Sequence, residues 1–96
     1  MNKKTIIELI KKEKPYLNQQ FGLKDIALFG SYARGEENPN SDIDLLVSLQ
    51  KPSFSLLMGL CVYLEAKVNT KIDVTRSGPH LSERFLKLIS KDLIYV

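Results

Sequence analysis

Residues 28–49 read LFGSYARGEENPNSDIDLLVSL, and this stretch decides the fold. An apolar run ends at Gly30-Ser31, a polar connection follows, and a second apolar run carries Asp42 and Asp44. In a strand, residues two apart share a face, so both carboxylates point one way, about 7 Å apart along the chain. Ile43 and Leu45 point the other way. Two acids facing together, with no basic partner nearby in sequence, repel. Relief comes from a proton, an arginine or a divalent cation. Gly30 lets backbone N–H groups approach a phosphate closely, and Ser31 adds a hydroxyl. One half of the stretch suits phosphate oxygens, and the other suits a hard cation such as Mg²⁺ bridging to them.

Working outward, residues 3–20 have Ile6, Ile7, Leu9, Ile10 and Leu17 at helical spacing. Pro15 predicts a kink there, or an end with a second turn beginning. Phe21-Gly22 is a stop. Lys24 to Phe29 is a short buried strand delivering Gly30 and Ser31 to its end, and Ser31 to Arg34 form a turn of helix. Glu36 to Asn40 is loop by composition. The second strand runs from Asp42 to Leu49. Leu46 lies on the aspartate side further along, so both faces of the sheet are expected to be covered there.

Ser53 or Ser55 caps a helix reaching Val68. Phe54, Leu57, Cys61, Leu64 and Val68 make one apolar stripe, and Leu56, Leu60 and Tyr63 a second. A helix apolar on two sides is either deeply buried or shared with another chain, so a homo-oligomer through residues 54–68 is one expectation. Lys71 to Thr75 is a third strand, with Asp73 opposite in direction to Ile72 and Val74. An aspartate in an apolar strand is costly unless something binds it. Leu81, Phe85, Leu88 and Ile89 mark a closing helix, and Leu93 to Val96 an edge strand.

Ninety-six residues, 44% hydrophobic and 26% charged, fit one domain spanning residues 1–96, with a modest core and no sign of disorder. The net charge of +3 is mild. Lys3, Lys4, Lys11, Lys12 and Lys14 read as the wet face of the first helix. A nucleic-acid groove is disfavoured, because no aromatic residue interleaves with them. Cys61 is the only cysteine, which excludes an internal disulfide and fits a cytoplasmic location. No apolar run is long enough for a membrane span or a signal sequence. Cys61 lies on a core stripe with no sign of activation, and His80 is a loop residue after Gly78-Pro79. Tyr32 reads as packing and Ser41 as a turn residue.

Gly-Ser, ten residues, then Asp-x-Asp is similar to the signature of nucleotidyltransferases of the DNA polymerase β superfamily. The wording GSYARG…SDIDLLV most resembles the minimal nucleotidyltransferase (MNT) family, small proteins often paired with a HEPN-domain partner. The resemblance covers nearly the whole chain. It implies an α+β nucleotidyltransferase fold, a small mixed β-sheet with helices packed against it. It also implies that Asp42, Asp44 and Asp73 are the catalytic acids and hold two Mg²⁺ ions. Gly30 and Ser31 would bind the β- and γ-phosphates of ATP. Arg34, one helical turn on, is a phosphate ligand or a plain surface arginine. Asn69-Thr70 departs from the family, where a glycine turn is usual.

The function implied is Mg²⁺-dependent transfer of AMP from ATP to a hydroxyl. The chain is too short to carry an acceptor-binding domain, which directs attention to a protein acceptor. In the resembled family this is a tyrosine of a HEPN-type RNase toxin, with the transferase as antitoxin. The alternative is a non-catalytic nucleotide-binding module that neutralises a partner by covering it. A stand-alone transferase acting on a small molecule ranks below both.

Overall fold

A computed structural model describes all residues from Met1 to Val96. The order is α1 (Lys3–Phe21), β1 (Leu23–Phe29), α2 (Gly30–Arg34), β2 (Ile43–Leu49), α3 (Phe54–Val68), β3 (Ile72–Arg76), α4 (Glu83–Ser90) and β4 (Ile94–Tyr95). The strands form one sheet in the order β3-β2-β1-β4. β1 runs antiparallel to both β2 and β4, and β2 runs parallel to β3. The sheet is mixed because α3 carries the chain back to the start of the next strand, whereas the β1–β2 connection reverses direction.

Helices cover both faces. Ile26 and Leu28 of β1 and Ile43, Leu45 and Val47 of β2 pack with Ile6, Ile10 and Leu17 of α1 and Leu60, Leu64 and Val68 of α3. On the other face Ala27, Phe29 and Leu46 pack with Ile89, Phe85 and Leu81. The two-residue alternation of β1 and β2 sorts these side chains into two layers. Leu46 is therefore covered by α4, as its place beyond the aspartates predicts.

α1 does not break at Pro15. It runs unbroken from the Asn2 cap, which accepts from Thr5 N–H at 2.9 Å, to Gly22 in the left-handed region. Pro15 and Lys11, one turn earlier, are both exposed. The carbonyl left without its usual donor thus lies on the wet side, while buried Ile10 and Leu17 hold the helix on either side.

α3 departs from the two-stripe expectation. Leu60, Leu64 and Val68 are buried, but Phe54 is 66% exposed, and Met58 and Val62 follow it along the outer edge. The helix is neither deeply buried nor wholly covered. Ser53, not Ser55, caps it, accepting from Leu56 N–H at 3.2 Å. Asn69 closes it at φ 53°, so asparagine fills the left-handed position that a glycine turn would take. Tyr63 donates to Glu13 Oε1 at 2.5 Å, tying α3 to α1. That carboxylate partner, with some burial, pushes the phenol up to about 12.

Candidate active site

β1 hands over to α2 at Gly30, where φ is 78°. A Cβ built there would overlap Asp44 Oδ2. Phe29, the residue before, pairs with Asp44 across the β1–β2 ladder. The serine turn and the acidic strand are thus pressed together where only glycine fits both the backbone and the space.

Asp44 in turn stands in register with Asp73 across the parallel β2–β3 pair. In-register residues of neighbouring strands point to the same face, with the strands about 4.8 Å apart. Asp42 lies one residue before β2, two residues from Asp44. The three acids therefore gather at one end of the sheet on the face opposite α1 and α3. Asp42 and Asp44 are half-buried and Asp73 is exposed. The expected desolvation cost at Asp73 does not arise, because β3 is an edge strand and its side chain reaches water. What distinguishes Asp73 is its register with Asp44.

Burial raises the Asp44 carboxyl above the ordinary carboxylate range, and the charges of Asp73 and then Asp42 push it the same way. Arg34 pulls it back. Asp42 does have a basic partner in space: Lys71 Nζ lies 3.7 Å from Oδ2, an open pair at the surface. Surface pairs of this kind contribute little. An all-oxygen donor set under mutual repulsion fits a hard divalent cation such as Mg²⁺. In the positions the side chains adopt on their own, no three His, Cys, Asp or Glu residues close into a ready metal-binding group. Like-charged carboxylates keep apart until something neutralises them.

Arg34 ends α2 and is engaged elsewhere. Its Nε donates to Glu36 at 2.7 Å and its Nη1 to Asp92 at 2.8 Å. A phosphate would share the guanidinium with these two carboxylates. Tyr32 is buried in the core, as its packing reading predicts. Ser41 is a turn residue, its Oγ accepting from Asn38 N–H at 3.0 Å. The Cys61 thiol contacts the Ile72 carbonyl, and burial holds its pKa up, followed by the charges of Glu65 and Asp73. It is not an activated thiol. His80 is exposed in its loop.

Sequence reading passed over Lys71, Asp92 and three cations of the closing helix and its cap: Arg84 and Lys87 of α4 and Lys91, which follows it. Their spacing alone would have put the three on one helical side, but not beside Arg34. That neighbourhood is made by folding.

The family model described as nucleotidyltransferase domain matches residues 10–95. The chain belongs to the nucleotidyltransferase family. A Methanocaldococcus jannaschii relative named "putative protein adenylyltransferase" is 43% identical over 95 residues, covering 95% of this chain and 94% of its own. The protein adenylyltransferase MntA of Thermococcus cleftensis is 33% identical over 92 residues, covering 95% and 92%. Among solved structures, one of a "putative minimal nucleotidyltransferase" superposes with a TM-score of 0.78 at 26% identity, over 98% of this chain and 95% of its own. The fold is also that of a chain in the complex of a tri-AMPylated Shewanella oneidensis HEPN toxin with its MNT antitoxin. There the TM-score is 0.63 at 19% identity, over 92% and 69%. The expected α+β nucleotidyltransferase fold is the one observed. Like these relatives the chain is a nucleotidyltransferase, and no helix of it is long and apolar enough to cross a membrane.

Proposed function

We propose that this nucleotidyltransferase moves AMP from ATP to a hydroxyl of a protein partner, and that the acceptor is a tyrosine of a HEPN-type RNase toxin whose antitoxin it is. The observation that carries the reading is the meeting of Asp44 with Asp73 in register and with Gly30 in contact. The relatives' naming as protein adenylyltransferases supports a protein acceptor. The complex of an AMPylated HEPN toxin with an MNT antitoxin supports the choice of partner.

Asp42, Asp44 and Asp73 would hold Mg²⁺, which supplies charge neutralisation at the phosphates and lowers the pKa of the attacking hydroxyl. The Gly30–Ser31 backbone and the Ser31 hydroxyl would hold the β- and γ-phosphates, with Arg34 joining them through Nη2, the nitrogen that neither Glu36 nor Asp92 engages. Asp73, exposed at the sheet edge, takes the acceptor's proton. The acceptor oxygen then bonds to the α-phosphorus, the bond from that phosphorus to the bridging oxygen breaks, and pyrophosphate leaves.

The test incubates the chain with α-labelled ATP, Mg²⁺ and the product of the adjacent gene. Label should move to a tyrosine of that protein, and Asp42→Asn or Asp44→Asn should cut transfer at least about a hundredfold while leaving the fold intact. Transfer indifferent to both changes would refute the assignment of the acids.

One observation favours a second reading, a module that neutralises its partner by covering it. The outer edge of α3 leaves Phe54, Met58 and Val62 in solvent at four-residue spacing, a face that a partner or a second copy could cover. An Asp44→Asn protein that still silences the toxin with unchanged affinity would select this reading over catalysis.

A further inference from the structure

α4 divides its side chains sharply. Phe85 and Ile89 turn to the sheet and pack with Phe29, Phe85 edge-on to it at 6.1 Å between ring centres. Arg84, Lys87, Leu88 and Lys91, with Arg34 and Asp92, line an open cleft of about 670 Å³. The chain's three ion pairs use Arg34, Asp92, Glu36, Lys71 and Asp42, and none uses Arg84, Lys87 or Lys91. Asp92, the cleft's only acid, is already bonded to Arg34.

Arg84 and Lys87, three apart, and Lys87 and the C-cap Lys91, four apart, repel by a few tenths of a kcal/mol per pair. Lys87 and Lys91 suit the helix C-terminus, but Arg84 in the first turn does not. Leu88, at 74% exposure, places an apolar side chain among the charges. No acid of the chain pairs with any of the three cations. An external anion would offset their repulsion.

The cleft and the acids share one neighbour, Arg34. Arg34 lines it, and the same guanidinium lowers the Asp44 carboxyl from the far end of α2. We propose that this cleft docks an acidic peptide segment of the protein acceptor, its carboxylates on Arg84, Lys87 and Lys91 and an apolar side chain against Leu88. The inference rests on the reading that the acceptor is a protein. Charge complementarity of this kind steers encounter and fixes orientation. A nucleic acid fits less well, because no aromatic ring lines the cleft to stack a base.

The probe is a fluorescein-labelled decapeptide of Asp, Glu and Leu, titrated with the full chain by anisotropy, beside an oligoadenylate of equal charge. The Arg84→Gln/Lys87→Gln/Lys91→Gln variant should bind the peptide about tenfold more weakly, and Leu88→Ser a few-fold more weakly. The Lys3→Gln/Lys4→Gln/Lys11→Gln variant, equal in lost charge but on α1, should bind as the parent does. Equal weakening by the two triple variants, tighter binding of the oligoadenylate, or displacement of the peptide by ATP overturns the proposal. Calorimetry of Mg²⁺-ATP on the unmodified chain and on Asp44→Asn reads the nucleotide site separately. Loss of that reading leaves the peptide result interpretable on its own.

Discussion

Gly30 and Asp44 make a single contact on which the candidate site depends. Alanine at position 30 would need a left-handed backbone and would collide with the Asp44 carboxylate. Gly30→Ala should cost about 1–3 kcal/mol in denaturant unfolding and reduce transfer more than any other single-methyl change in α2. Asp44 carries the clearest electrostatic signature. Its pKa in the folded chain lies above its ordinary value, through burial and then through Asp73 and Asp42. The folded state therefore keeps this proton at a pH where the unfolded chain has released it. Stability from this group is present at low pH and lost as pH rises from about 4 through the raised pKa. Asp44→Asn should remove that loss, so its unfolding free energy should fall less than the parent's between about pH 4 and pH 7. Mg²⁺ should raise the melting temperature of the parent at neutral pH, and that of Asp44→Asn far less. A melting temperature indifferent to Mg²⁺ in both proteins would speak against a cation at these acids.

At the level of elements, the helix ends are fixed by identifiable side chains. Ser53 Oγ satisfies an otherwise orphan N–H at the start of α3, and Ser53→Ala should cost about 1 kcal/mol in chemical denaturation, with no change in nucleotide affinity. These signals are local, so most were legible in the chain: the strand feeding Gly30, the Asp42–Asp44 spacing, a serine cap at 53 or 55 and the closing helix. Pro15 shows the limit of such reading. A proline rule derived from isolated helices predicts disruption, yet burial of Ile10 and Leu17 against the sheet outweighs one missing bond on the wet side. Phe54 shows the reverse. Its spacing with Leu57 and Cys61 puts it on an apolar stripe that reads as buried or shared with another chain, and in this chain the ring is in water.

Across the whole molecule, two layers of helices clamp one mixed sheet, and the site lies at its rim. Leu45 is wholly buried between β1, β3 and the α1–α3 layer. Leu45→Ala should destabilise the chain by about 2–5 kcal/mol in urea unfolding and, by loosening the strand that carries Asp44, lower transfer as well. Residue spacing determined the elements, the pairing of Asp42 with Asp44 and the glycine at the turn, because each is a relation between near neighbours along the chain. Folding alone decided that β3 lies parallel to β2 with Asp73 beside Asp44, that Lys71 reaches Asp42, and that the cations of the closing helix and its cap border Arg34. Those relations join residues tens of positions apart, and they are chosen by how two apolar faces of a sheet are covered at once.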